Sequence, residues 1–138
     1  MIMNEDFVPY ELAVKLAENG FNEPCNAYYE PINLNLNFCK LGWRNSLEKQ
    51  LGVITAPTIS QVLKWLRKEE KIHITIDIWG RTWGYDILAL PSGRSLHRTA
   101  YDEKINSYEQ AALAGIEYYL DNFICYERKR KETCNRLV

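Results

Sequence analysis

An alternation of isoleucine with other residues in the middle of the chain constrains the fold most strongly. Isoleucine occupies every second position from 72 to 78, and the residues between and after are His73, Thr75, Asp77 and Trp79. A period of two is typical of a β-strand with one buried face. Gly80 and Arg81 follow, and glycine in the first turn position favours a type II′ hairpin.

This turn determines which residues face each other across the predicted hairpin. Trp79 lies opposite Thr82, and the four isoleucines lie opposite Trp83, Tyr85, Ile87 and Ala89. Every isoleucine therefore has an apolar or aromatic partner, which predicts that this face belongs to the core. The opposite, outer face is expected to carry His73, Thr75, Asp77, Trp79, Thr82, Asp86 and Leu88.

Three segments have the apolar spacing of an amphipathic helix. The first is predicted over residues 9–19 and ends at Gly20, with Phe21 turning back onto the helix. The other two begin at four-residue capping boxes, in which a hydroxyl and a glutamine bond the first turn reciprocally. These boxes start at Thr58 and Ser107.

The remaining segments give weaker signals. Residues 25–30 are rich in aromatics and predict a strand. Residues 32–38 alternate apolar side chains with asparagine, which indicates a half-buried strand, or an edge strand or extended loop because asparagine disfavours strands. Residues 46–51 are expected to form one helical turn, and residues 95–101 a short strand.

These elements predict an α+β fold, a two-layer sandwich with three helices on a small, mostly antiparallel sheet. The order is α-β-(β)-α-β-β-α. A chain of 138 residues, 46% of them hydrophobic, buries about two-thirds of its unfolded surface without disulfides or metals. Residues 1–126 are expected to form a single domain, and residues 127–138 a basic helical extension or tail.

Net charge and targeting signals narrow the class of protein. The net charge of −1 divides into about −4 for residues 1–126 and about +3 for residues 127–138. No apolar run reaches the roughly 20 residues of a membrane span, and the first residues lack a signal-peptide pattern. We therefore expect a cytoplasmic protein without a membrane partner. Scattered cysteines, at positions 25, 39, 125 and 134, indicate reduced thiols.

The outer face of the hairpin is the first candidate for chemistry. Asp77 and His73 both lie diagonally across from Asp86, so acid–base catalysis is one interpretation and a solvated polar face is the other. The cysteines and histidines lack the short paired spacings of zinc sites, so no metal is expected. No nucleophile motif or phosphate loop appears, and no cofactor is expected.

Tryptophan and arginine residues suggest a binding surface. Trp65 and Trp83 are expected in the core, whereas Trp43 on a long loop and Trp79 on the outer face are candidates for contact with a partner. Basic residues near them, together with the tail, allow an anionic partner. The candidate binding residues are Trp43, Arg44, His73, Asp77, Trp79, Asp86, Arg94, His97 and Arg98.

Three segments together resemble a known family. They are Tyr10–Cys25, with Leu-Ala-Glu-Asn-Gly-Phe-Asn-Glu-Pro-Cys at its end, Ala56–Arg67, and Ser107–Ile116. The set is similar to a family of small uncharacterised proteins of gut Bacteroidales and their phages and prophages. The resemblance implies an intracellular accessory protein of a mobile element, and it implies no activity, cofactor or catalytic residue.

Three functions are therefore expected, in this order. The first is a non-enzymatic interaction module that binds a protein, either a second copy or a host or phage partner. The second is a nucleic-acid-binding accessory protein, whose basic residues from the tail, from Arg94 and Arg98 and from the second helix converge on one surface. The third is a small enzyme that uses the outer hairpin face.

Overall fold

A computed structural model describes residues 6–45, 52–99 and 104–124. The strands are β1 (Cys25–Tyr29), β2 (Leu36–Trp43), β3 (Ile54–Thr55), β4 (Ile72–Trp79), β5 (Thr82–Ala89) and β6 (Arg94–Arg98). The helices are α1 (Tyr10–Glu18), α2 (Ile59–Trp65) and α3 (Tyr108–Tyr119). Helices α2 and α3 continue as π-helical turns, Leu66–Glu70 and Leu120–Ile124. The helical turn predicted at 46–51, Cys125, Cys134 and the tail lie outside the described residues.

The α+β prediction is confirmed, with three helices among the described residues. The strands form two antiparallel sheets of three strands each rather than the single sheet expected. Sheet I has the order β2-β1-β3, and sheet II has the order β4-β5-β6. In sheet I, β1 pairs with a strand on both sides, so the three strands before α2 form a sheet of their own.

The register of the central hairpin is confirmed at every predicted pair. Trp79 pairs with Thr82, and the isoleucines of β4 pair with Trp83, Tyr85, Ile87 and Ala89. Gly80 has a φ of 68°, a conformation that glycine adopts at little cost. The turn residue and the alternation of β4 therefore specify the same pairing.

The first hairpin begins its second strand later than predicted. Strand β2 starts at Leu36, and the residues before it form a turn in which the Glu30 N–H donates to the Asn35 carbonyl. The Asn33 side chain accepts from the Asn35 N–H, and Leu34 has a φ of 57°. Asparagine side chains compete for the backbone in this way, which outweighs the alternating pattern. Ile32 is consequently 95% exposed.

Helix ends are fixed largely as the sequence predicts. At the end of α1, the Phe21 N–H donates to the Leu16 carbonyl. At the start of α2, both hydrogen bonds of the Thr58–Gln61 capping box are present, and the Gln61 amide nitrogen also donates to the Pro24 carbonyl. At the start of α3, the Ser107 side chain accepts from the Gln110 N–H, but the Gln110 side chain accepts from Asn106 instead of Ser107.

Removal of the Thr58 hydroxyl is expected to destabilise the fold. Thr58→Ala leaves the Gln61 N–H without its side-chain acceptor, and loss of such a cap costs about 1 kcal/mol in free energy of unfolding. Urea denaturation measures the change. Ser60→Ala is the matched control, since Ser60 is exposed within the same first turn. Equal midpoints for Thr58→Ala and the wild type would contradict the capping role.

One core cluster joins the helices to both sheets. Its buried residues include Cys25 from sheet I, Ile74 and Ile87 from sheet II, and Leu16, Leu66 and Ile116 from the helical segments. At its border, the Lys15 ammonium lies 3.1 Å from the carboxylates of both Glu117 and Asp121 and links α1 to α3. Hydrogen bonds to these two carboxylates raise the pKa of Lys15.

Both cysteines within the described residues are free thiols. Cys25 is fully buried, and burial raises the pKa of its thiol to about 11. Cys39 is half-buried on the neighbouring strand. The Cys25 thiol therefore remains protonated near neutral pH, which suits packing rather than nucleophilic chemistry.

Candidate interaction site

The outer face of sheet II is the side of β4 and β5 away from the helices. Helix α3 contacts both strands on the other side, where the Ile74, Tyr85 and Ile87 side chains are buried. The alternation of the strands leaves the intervening residues on the outer face. On β4 these are His73, Thr75, Asp77 and Trp79, and on β5 they are Thr82, Gly84, Asp86 and Leu88.

The Trp79 indole lies across the neighbouring strand at Gly84. A Cβ atom at position 84 would lie 2.5 Å from Cζ3 of Trp79, so only glycine leaves room for the ring in this position. The Arg98 guanidinium carbon lies 5.3 Å from the ring centroid, within the range of a cation–π interaction. The indole is therefore fixed against the sheet with a cation over it.

A buried carboxylate holds that cation in place. Asp86 is only 6% exposed, and its Oδ2 accepts from Nε and Nη2 of Arg98 at 3.3 and 3.0 Å. Its Oδ1 accepts from the Ser95 hydroxyl at 2.5 Å. The Arg98 side chain is 60% exposed, so its charge remains accessible to solvent. We call Trp79, Gly84, Asp86, Ser95 and Arg98 the Trp79–Arg98 cluster.

His73 and Asp77 lie on either side of this cluster. Thr75 pairs with Asp86, so both residues are diagonal to Asp86, as predicted. Asp77 is exposed, whereas Nδ1 of His73 is buried and has no hydrogen-bond partner among the described residues. The two oxygens of Asp86 are engaged by Arg98 and Ser95, so this carboxylate serves as an anchor rather than as a free base.

Four cavities lie away from the Trp79–Arg98 cluster. The largest of four has a volume of about 660 Å³ and lies beside the end of α1 and β3, where Phe21, Asn45 and Val53 contribute to its lining. Among the described residues, none of these four cavities is lined by His73, Asp77 or Asp86.

Trp43 and Arg44 lie on the other sheet. The prediction that Trp43 lies on a loop is wrong, because it is the last residue of β2 and pairs with Cys25. Its ring stacks on Tyr28, with centroids 4.6 Å apart. Arg44 is exposed, and its Nη1 donates to the Asn22 carbonyl. Trp43 thus belongs to sheet I, Arg44 follows directly after its strand, and neither is part of the Trp79–Arg98 cluster.

Strand β6 divides the remaining predicted residues between the two faces of sheet II. Arg98 pairs with Asp86 on the outer face, whereas His97 pairs with Ile87 on the helix side. There, the His97 ring stacks on Tyr118 of α3 at 3.7 Å, with the planes 4° apart. Arg94 is exposed and pairs with Ala89, also in register with the helix side.

Two members of the cluster, Gly84 and Ser95, are not among the binding residues predicted from the sequence. The hairpin register contains a signal for Gly84, since it lies opposite Asp77 and diagonal to Trp79. A glycine within a strand signals close approach of another group. Ser95 carried no such signal, because its contact with Asp86 depends on a shift in register between β5 and β6.

Lys68, one of the basic residues of the second helical segment, lies in the π-helical turn after α2. It forms ion pairs with Glu23 and Glu69, 4.0 and 3.7 Å away. Residues 127–138 lie outside the described part of the chain. The described residues contain no group of three or more metal-ligating side chains.

No described helix is long and apolar enough to cross a bilayer. Comparisons with protein-family models, curated proteins and solved structures gave no match to this chain.

Proposed function

We propose that this chain is a small, non-enzymatic interaction module that binds a protein partner through the outer face of sheet II. The Trp79–Arg98 cluster carries the proposal. Tryptophan and arginine are the residue types most enriched at the energetic centres of protein interfaces. Here they are stacked on each other at the surface of a sheet, at a distance of 5.3 Å.

The arrangement of the cluster favours binding because its side chains are already ordered. Asp86 and Ser95 fix the position of Arg98, and Gly84 accommodates Trp79. Side chains held in place before contact lose less conformational entropy on binding, at a saving of about 0.5–1.5 kcal/mol for each. Within the described residues, helix α3 contacts β4 and β5 on the opposite face of this sheet.

The biological setting of the proposal rests on the resemblance of three segments to proteins of gut Bacteroidales and their phages and prophages. We propose that the module acts inside the cell as an accessory protein of a mobile element. Its partner is then a protein of the host or of the element itself. The segments that carry the resemblance include helices α1, α2 and α3, which support the sheet rather than contribute to the cluster.

Affinity purification from native or infected cells with mass spectrometry tests the proposal. Trp79→Ala removes the ring under Arg98 and is expected to lower partner recovery at least about tenfold. Trp43→Ala is the matched control, since Trp43 is also half-buried and stacked but lies on sheet I. Circular dichroism verifies that both variants fold. Equal recovery with the two variants would contradict a binding site on the outer face.

Nucleic-acid binding is the second candidate function. The observation that favours it is the exposed guanidinium of Arg98 on an aromatic ring, with exposed Arg94 on the same strand. An electrophoretic mobility shift at low salt, weakened by added salt and by Arg98→Gln, would support this alternative. The absence of a shift at low salt would exclude it.

A further inference from the structure

Strand β4 is one of the two edge strands of sheet II within the described residues, and β6 is the other. Strand β4 pairs with β5 on one side only, and the sheet order β4-β5-β6 leaves its other side open. The strand runs for eight residues without a register shift and contains no lysine, arginine or proline. Edge strands of this length usually carry such protective features, and Asp77 is the one carboxylate of this strand, so the weakly protected edge indicates a pairing partner.

The backbone groups on this free edge belong to the isoleucines. The Lys71 carbonyl accepts from the Leu90 N–H, which shows that odd-numbered residues direct their backbone toward β5. In a regular strand, the alternate residues then direct their N–H and C=O groups away. Ile72, Ile74, Ile76 and Ile78 therefore present a regular row of donors and acceptors at the edge.

The side chains of β4 are complementary to β4 itself in one antiparallel register. With the two-fold axis at Thr75, His73 lies opposite Asp77 of the second copy, and the reverse pair forms by symmetry. Thr75 meets Thr75 of the second copy, and threonine pairs are favourable across strands. The half-buried His73 imidazole thus lies opposite an exposed carboxylate on both sides of the axis.

The backbone hydrogen-bonding groups at the edge and the isoleucine side chains of β4 are both compatible with this register. Ile74 pairs with Ile76 of the second copy, and Ile72 with Ile78, so the outward-directed N–H and C=O groups meet in hydrogen-bonded pairs. The His73 and Asp77 side chains then lie at non-hydrogen-bonded pairs, where the strands are closest. Ile78, which is 60% exposed in the single chain, gains an apolar neighbour.

We infer that two copies of the chain associate through β4 into a continuous six-stranded antiparallel sheet centred on Thr75. The occupant of this edge is therefore a second copy, selected by the His73–Asp77 complementarity. The inference goes beyond the proposed function, because it concerns the edge of sheet II and not the outer face. The dimer places two Trp79–Arg98 clusters on one surface, with the Trp79 positions about 26 Å apart along the strands.

Sedimentation equilibrium of the full chain tests the inference. The expected result is a concentration-dependent dimer of about 32 kDa, twice the 16.2 kDa of the chain. Thr75→Lys brings two like charges together on the axis and is expected to raise the dimer Kd about tenfold or more. Thr82→Lys is the matched control, since Thr82 is half-buried on the same face but lies on β5. It is expected to leave the Kd unchanged.

Exchange of the charges at positions 73 and 77 tests the register in which the two β4 strands pair. Asp77→Arg is expected to weaken the dimer, because His73 of the second copy then faces a cation. The double variant His73→Glu/Asp77→Arg restores opposite charges and is expected to recover the affinity. A monomeric wild type at the highest soluble concentration would overturn the inference. A dimer whose Kd is unchanged in Thr75→Lys would also overturn the inference. Partner binding through Trp79 is measured in a separate assay, so neither of these two outcomes decides the proposed function.

Discussion

Phe21→Ala is expected to destabilise the fold by about 3–5 kcal/mol, the range for removal of a buried phenylalanine ring. Phe21 is 1% exposed, and its ring packs edge-on against Trp65 with centroids 5.3 Å apart. The ring connects the end of α1 to α2 within the core cluster. Its loss removes apolar burial from both helices and leaves a cavity that the surrounding backbone fills only in part.

The matched control is Phe38→Ala. Phe38 is 58% exposed on β2, although its ring also has an aromatic neighbour, Phe7. Removal of this ring is expected to cost about 1 kcal/mol or less. Urea denaturation followed by circular dichroism measures both changes. A Phe21→Ala loss as small as that of Phe38→Ala would show that Phe21 does not join the two helices.

Gly115→Leu is expected to destabilise the fold by about 2–3 kcal/mol through overpacking. A Cβ atom at this position would lie 3.0 Å from Cγ2 of Ile74 and 3.2 Å from the ring of Tyr85. Gly115 therefore marks the closest approach of α3 to sheet II. The larger side chain must push the helix from the sheet, and the disturbance reaches both strands of the central hairpin.

Gly115→Ala separates packing from helix propensity. Alanine gains about 1 kcal/mol of propensity over glycine, and leucine gains nearly as much. The methyl group alone requires Ile74 and Tyr85 to shift by a few tenths of an ångström, so we expect little net change in the free energy of unfolding. Thermal denaturation of the series measures the difference. Equal stability for the alanine and leucine variants would mean that α3 does not pack closely at this point.

The central hairpin could be predicted to the residue because two independent signals agree there. The isoleucine alternation defines the buried face, and Gly80 defines the turn, so only one register satisfies both. The capping boxes placed the starts of α2 and α3 for the same reason, since a specific hydrogen bond begins each helix. Interactions between residues close in the sequence were therefore sufficient to predict these elements.

Sheet I could not be predicted in the same way. Its first hairpin alternates apolar residues with asparagine, and the pattern does not reveal that Asn33 closes a turn. Its strands also pair with an interruption of register between Cys25 and Ala27, and hydrophobic spacing does not encode such a shift. The pairing of β1 with β3 joins residues far apart in the chain, so it depends on tertiary packing.

The residues of the candidate site also divide into those that the sequence predicts and those that depend on tertiary packing. Trp79, Asp77, His73 and Asp86 follow from the hairpin register alone, and the structure places them together on the outer face. The role of Arg98 could not be derived, because its contact with Asp86 requires β6 to pair at a shifted register. The other four predicted binding residues were chosen by residue type, and the structure places them elsewhere: Trp43, Arg44, Arg94 and His97.

The Gln61 side chain couples the opening of the first turn of α2 to the opening of the start of β1. One end of its amide accepts from the Thr58 N–H, and the other donates to the Pro24 carbonyl just before β1. A fluctuation that unfolds the first turn of α2 therefore also breaks the hydrogen bond to Pro24, the residue before β1. Amide hydrogen exchange of α2 and β1 should therefore proceed through a shared opening, so that the helix and the first strand of sheet I behave as a single cooperative unit.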